Sequence, residues 1–342
     1  MGWRSPEFEE TMYFCGFDLH VVTDVPSGPG CGPVVHVARA MNLAQAGSNK
    51  GISGLPAVQA LGDAIGKPRH LITDRAYNFV TDDKFALPVW RLGYTTVYDL
   101  HSKQRGTHPG PVGSHAIWID GTLYSASLPA GLEEIDPIDV DMKDEVRART
   151  ERRHQARQAY AFVPHGARRP DGPRRYRGPA VHPARVRCPN NPVSMRAPQS
   201  VPTTSCTTGT ACGCGRTITL NDSDYPDMRM PFQHGTLAWE ASYHRRVGIE
   251  SVFADLKKNR LGVHRGFFRG FGIRRYTLLA GFTLAAFNIL SLHDWFARRG
   301  IHDPWARYLG EAASERTPVR GRRGNRANKG HTESLSATRP GR

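Results

Sequence analysis

Acidic residues are the first shortage in this chain. Its 342 residues carry 31 Asp and Glu against 46 Lys and Arg, a formal net charge of +15, and the sequence pI is near 9.9. That imbalance points to an anionic polymer as partner, nucleic acid ahead of membrane, because charge sets attraction and not fold. Solubility alone is the plainer account of the same excess. Cysteine is scarce too, with six in the whole chain. Without an export signal, that number argues for reduced thiols in a cytoplasm-like compartment. A leader is not visible, since Met1 to Glu10 is polar and acidic rather than basic then apolar. Long apolar runs are missing as well. The most apolar, Tyr276 to Leu292, is broken by Thr277, Thr283, Asn288 and Ser291 and is shorter than a membrane span needs. It predicts a buried helix and no membrane association. Internal repeats are not apparent.

What is present is a core-forming composition with much irregular chain: 39% hydrophobic residues, 25 Pro and 35 Gly. Length permits one large domain or two. Thr11 to Asp24 is dense in β-branched and aromatic residues and predicts a strand, ended by Pro26-Ser27-Gly28-Pro29-Gly30. Val34 to Ala40 predicts its returning partner. Leu55, Val58, Leu61 and Ile65 step by three or four, which predicts a helix closed by Gly66-Lys67-Pro68. Arg69 to Ile72 then predicts a short strand ending near Asp74. Asp82 onward predicts a short helix, and Thr95 to Leu100 a strand. His115 to Leu128 alternates about Asp120-Gly121, an Asp-Gly turn signal, and predicts a β-hairpin. From Arg147 to Arg187 arginines and prolines crowd the chain, leaving little to bury, so flexibility is expected there. The tail from Glu315 is polar and basic and is expected to be disordered.

Cys206-x5-Cys212-x-Cys214, with Cys188 upstream, raises zinc. The usual structural sites use C-x2-4-C pairs, and these spacings do not match. Free thiols are therefore the expectation, with structural zinc the alternative.

The most informative stretch is Tyr243 to Lys257. Apart from Gly248 it holds no helix breaker, and Val247, Ile249, Val252, Phe253 and Leu256 mostly recur at helical spacing. Tyr243, Arg246, Glu250 and Lys257 fall at i, i+3, i+7 and i+14, within one broad stripe of a regular helix. An acid flanked by an arginine, a lysine and a tyrosine suits a metal held against a phosphate. The plain reading is a solvated amphipathic helix of mixed charge. Asp74 likewise reads as a helix N-cap, or as an acid at the carboxyl end of a buried strand, where α/β sheets bind ligands.

These residues resemble the Y-x2-R-x3-E-x6-K signature of the insertion-sequence DDE transposases. Asp74-Arg75-Ala76-Tyr77 resembles that family's D-R-[GA]-Y motif, and Gly16-Phe17-Asp18-Leu19-His20 its G-[YF]-x-L-H segment, with Asp18 where a basic residue is usual. The resemblance covers about 11–100 and 236–298. It implies an α/β fold, a ribonuclease-H-like mixed sheet flanked by helices and interrupted by a basic, partly β insertion. The implied segments are 1–100 and 236–300 for the catalytic domain, 101–235 for the insertion and 301–342 for a basic tail. Asp74 and Glu250 would bind Mg2+ or Mn2+, two ions if a third carboxylate is supplied. Tyr243, Arg246 and Lys257 would hold DNA, the transposon ends and target, with a homodimer on DNA as one arrangement. A bacterial, cytoplasmic, nucleoid-associated location follows from the same likeness. The family's first aspartate has no counterpart: Asp120-Gly121-Thr122 falls after Asp74, and Asp18 and Asp24 are misplaced. The expectation is therefore an N-terminally truncated transposase with little or no catalysis alone. A catalytically dead basic nucleic-acid binder is the alternative, and a degenerate reading frame a third.

Overall fold

A computed structural model describes residues 2–4, 12–14, 16–27, 31–65, 70–78, 80–139, 141–169, 171–224, 229–263, 267–301 and 304–310. The fold is mixed α/β, with helices and five small sheets of two or three strands among the described residues. The chain divides into two compact units: Met1–Pro33 with Arg39–Val247, and Val34–Ala38 with Gly248–Arg342. The expected tail beyond 310 lies outside the described residues.

The first unit begins with a strand pair, β1 (Gly2–Arg4) with β2 (Met12–Phe14). Next comes β3 (Phe17–Thr23) paired with β4 (Ala38–Gln45). The returning strand thus starts later than Val34. Helix α1 (Lys50–Ile65) also differs from expectation by starting five residues before Leu55. Asn49 caps it, its Oδ1 accepting the Ile52 amide at 3.1 Å. The residues that look like breakers are spacers. A Cβ at Gly54 would lie 2.5 Å from the Tyr77 ring, and one at Gly51 2.9 Å from Val80.

Two short parallel strands follow, β5 (His70–Ile72) and β6 (Thr95–Val97), joined through α2 (Arg75–Asn78) and α3 (Ala86–Arg91). Val58, Leu71, Phe85, Val89 and Tyr94 form the core of this part, with Val22, Leu55 and Tyr77 packed against it. The parallel pairing needs this crossover, since strands running the same way cannot be joined by a tight turn.

Residues 101–235 hold two antiparallel sheets, β7 (Thr107–Pro109), β8 (Ala116–Ile119) and β9 (Thr122–Ser125), then β10 (Val163–His165), β11 (Arg174–Arg177) and β12 (Thr217–Leu220). Asp120 and Gly121, at φ of 46° and 76°, make the β8–β9 turn where the Asp-Gly signal placed it. The flexible segment expected over 147–187 is different in the structure. Helix α4 (Asp144–Gln158), β10 and β11 occupy it, and apolar residues pack into two clusters around Tyr124, Tyr160 and Val186 and around Trp118, Phe162 and Leu220. The arginines there are used as donors inside the fold. Arg157 is fully buried, meeting Asp120 Oδ2 at 3.2 Å and donating to the Glu133 carbonyl at 3.1 Å. Arg153 donates to the Gly131 and Glu134 carbonyls at 2.8 and 2.9 Å. Helix α5 (Leu237–Tyr243) closes the unit, capped by Thr236.

The second unit contains α6 (Val247–Ala254, from Gly248), a π-helical turn over Asp255–Asn259, α7 (Ile273–Ala297) and α8 (Pro304–Tyr308). The Asn288 side chain and the Ala38 backbone exchange two hydrogen bonds of 2.8 Å. Arg260 bridges Asp255 at 3.2 Å and Asp294 at 2.9 Å. Helix α7 differs from the buried helix expected. At 25 residues it is long and apolar enough, by length and composition, to cross a membrane. Ala280, Leu284, Phe287 and Asp294 are buried, whereas Leu278, Phe282 and Ile289 are exposed.

Candidate functional site

Asp74 lies just past the carboxyl end of β5, where the chain turns into α2. Its Oδ1 accepts the Arg75 amide at 2.6 Å and the carboxylate is exposed. Both readings of this acid thus meet one position: it precedes a short helix and it stands at a strand end. The two motifs flanking it meet in space. His20, buried on β3, is 2.7 Å through Nδ1 from the Tyr77 hydroxyl. Burial lowers the His20 pKa, with Lys50 adding to the effect, and burial beside Asp74 and Asp18 pushes the Tyr77 hydroxyl up to about 12. A neutral imidazole and a neutral phenol therefore share this bond.

Past β6, Asp99 occupies the position equivalent to that of Asp74 past β5. Its carboxylate meets the Arg75 guanidinium, Arg105 Nη2 at 2.9 Å and His234 Nε2 at 2.9 Å. Burial opposes its ionisation, but the bonds from His234, Arg75 and Arg105 outweigh burial and hold the carboxyl well below the usual range. His234 is the first of a row of rings. Its centroid is 4.3 Å from that of Trp239, which stacks on Tyr243 at 5.1 Å, and the Arg246 guanidinium lies 5.2 Å over the Tyr243 ring. Burial raises the Tyr243 pKa, Arg246 works against the rise, and the charges of Asp74 and Asp99 add to it. Asp74 therefore lies within electrostatic range of Tyr243, whose ring Arg246 covers, within the first unit.

The chain matches no protein-family model, no curated protein and no solved structure.

Glu250 and Lys257 belong to the second unit, where both are exposed. Lys257 Nζ lies 5.5 Å over the Phe253 ring. The regular helix expected over Tyr243 to Lys257 is broken into α5, a tighter 3-10 turn over His244–Arg246, α6 and the wider π turn. Within the first unit the i, i+3 pair of Tyr243 and Arg246 still shares a face, as their ring contact requires.

Among the described residues of the first unit, the acids do not gather for a magnesium or manganese ion. Asp18 pairs with Lys50, Asp24 with Arg39 at 2.6 Å, and Asp99 with Arg75, Arg105 and the His234 imidazole. A hard divalent ion needs several oxygen donors turned toward one point, and these carboxylates are turned toward cations instead. No metal-dependent step is derived from them.

One feature escaped the sequence, and a second was weighed there only as the alternative to free thiols. A cavity of about 520 Å³ opens in the first unit, with Trp90, Trp118, Tyr176, Arg168, Arg174 and Arg229 among its walls. The second is a group of four sulfurs. Cys188, Cys206, Cys212 and Cys214 place their Sγ atoms all within 4.8 Å of one another. The thiols are free, as expected, and three loop stretches deliver them to one point. Burial and the neighbouring sulfurs raise the Cys188 and Cys214 thiols, the second strongly. At Cys212 burial is outweighed by the Cys214 amide, the Asn190 side chain and the adjoining thiols, so its pKa is lowered.

Proposed function

We propose that this chain is a DNA-binding protein of the DDE-transposase type, with a ribonuclease-H-like arrangement in its first unit, that binds DNA without cutting it on its own. The observation that carries the reading is that Tyr243, with Arg246 5.2 Å over its ring, lies within electrostatic range of Asp74 and Arg75, so that residues of two separate signature motifs of that family share one region. The parallel strands β5 and β6 with acids at their carboxyl ends support the same reading, as does the His20–Tyr77 bond, which joins one further motif segment to that of Asp74. Arg246 supplies positive charge beside a stacked aromatic pair, which suits a phosphate backbone with a base or sugar edge against the rings.

Fluorescence anisotropy on duplex DNA over a salt series tests the proposal. Binding should weaken steeply as salt rises, and Arg246→Ala should lower the slope of log K against log salt by about one. Affinity that ignores salt would refute DNA binding. Mg2+-dependent cleavage of DNA by the purified chain, abolished by Glu250→Gln, would refute the absence of cutting.

A further inference from the structure

We propose that Cys188, Cys206, Cys212 and Cys214 form a structural zinc site that fastens the loops of the insertion together. The inference rests on geometry alone and stands whether or not the chain binds DNA. Zinc bound by thiolate has a metal–sulfur distance of about 2.3 Å, so the edge of an ideal tetrahedron of sulfurs is about 3.8 Å. The Cys188–Cys212 and Cys206–Cys214 sulfur pairs are each 3.7 Å apart, and every pair is within 4.8 Å. Disulfides are a poor account of the same group. Their sulfurs lie about 2.05 Å apart, and two independent bridges would have no reason to converge on one centre.

The surroundings are built for sulfur ligands. Backbone amides of Asn190 and Cys214 face the sulfurs of Cys188 and Cys212. Asn190 Nδ2 reaches the Cys212 sulfur at 3.7 Å, and the Ser125 and Ser127 hydroxyls reach that of Cys214 at 3.3 and 2.8 Å. Such donors orient thiolates and disperse their charge. Backbone passes close on both sides. A Cβ at Gly213, between two of the ligands, would collide with the His115 carbonyl oxygen, and one at Gly178 would lie 2.5 Å from the Cys214 carbonyl oxygen. Four protein sulfurs leave no open coordination position, so the ion holds structure and does no chemistry. Its position explains how a stretch with few apolar residues is ordered. The ligands tie the segment after β11 and the approach to β12 to the cluster of Ile119, Tyr124, Leu128, Tyr160 and Val186.

The full chain, purified under reducing conditions from zinc-supplemented medium, should carry one zinc per molecule by elemental analysis. Cobalt exchanged into it should give the intense visible bands and the thiolate charge-transfer absorption of a tetrahedral four-sulfur site. Cys206→Ser should lose stoichiometric zinc, whereas Cys31→Ser, outside the cluster, should keep it. Chelation should lower the unfolding midpoint by about 10 °C or more, restored by added zinc, a readout that needs no variant to fold. A zinc-free chain that is fully folded and gives no four-sulfur cobalt spectrum would overturn the site. Stoichiometric iron in place of zinc would overturn the choice of metal.

Discussion

Replacing Asp120 by asparagine perturbs one charge at the β8–β9 turn. The Asp120 side chain is 15% exposed and that of Arg157 not at all, and both terminal nitrogens of Arg157 approach Asp120 Oδ2, at 3.2 and 3.3 Å. Asp120 Oδ1 also accepts the Gly106 amide at 2.9 Å. Asparagine keeps that acceptor and tolerates the left-handed backbone at φ 46°. With that oxygen kept for Gly106, the amide nitrogen takes the Oδ2 position, so the buried guanidinium loses both the charge and the acceptor facing it. Losing one charge-assisted contact costs about 1.5–3 kcal/mol. Alanine removes the Gly106 acceptor too, at about 3–5 kcal/mol for the broken buried pair, and costs about 1 kcal/mol more because it lacks the polar side chain that steadies a left-handed backbone. For a cooperative unit on the order of 200 residues, each kcal/mol moves the midpoint by about 2–4 °C. The asparagine variant should therefore melt about 3–12 °C lower by circular dichroism, and the alanine variant lower still. Arg157→Met in the asparagine background should cost much less than the two single changes added together, since the unpaired charge is gone. An asparagine variant within about 0.5 kcal/mol of the parent, or strict additivity in the double variant, would refute the pairing.

Acid sensitivity has two sources. His154 is buried with Arg157 beside it, and burial first, then that charge, lowers its pKa from about 6.5 to about 4. The unfolded chain takes up a proton that the fold refuses, so stability is full above the ordinary histidine value and falls by about 3 kcal/mol as pH drops through that window. His154→Gln should flatten this part of a stability–pH curve, and an unchanged slope would refute it. Asp99, depressed in the fold, contributes stability that is present above the ordinary carboxylate pKa and lost at lower pH. Asp99→Asn should reduce the fall in stability below the histidine window, measured by denaturant titration at successive pH values. Leu220→Ala, at a fully buried position in the second β cluster, should cost about 2–5 kcal/mol in the same assay.

Local chemistry was legible where local rules decide. The Asp120-Gly121 turn follows from two residues that accept positive φ, and β5 with Asp74 from a short apolar run ended by an acid. Two kinds of feature were not legible. The first turn of α1, over Lys50–Gly54, lacks the apolar spacing that marks its remainder, and Gly51 and Gly54 lie in it where Val80 and Tyr77 approach, a contact between residues far apart in sequence. The cysteine group fails the spacing rule for a related reason. Paired zinc ligands are normally close in sequence because one turn presents two of them, whereas here Cys188 and Cys206 come from different loops. The signature over Tyr243 to Lys257 was legible as letters. The change of helical register along it was not, since neither Pro nor Gly marks the 3-10 and π turns.

The arginine excess also changes meaning once its partners are known. Counterion release depends on how many phosphates are neutralised directly, not on net charge. Arg157 is buried, Arg168 is held by Asp222, Arg185 by the Ala161 carbonyl, Arg229 by the Asn221 carbonyl, and Arg75 and Arg105 by Asp99. These side chains complete the backbone and carboxylate hydrogen bonding of a segment that lacks apolar mass, as a guanidinium with five donors can do. The same composition that reads as a disordered basic linker is therefore the means by which 147–187 folds. A charge of +15 on the whole chain consequently overstates the surface offered to an anion. The part best placed to meet one is narrower: the edge where Arg246 covers Tyr243 beside Asp74.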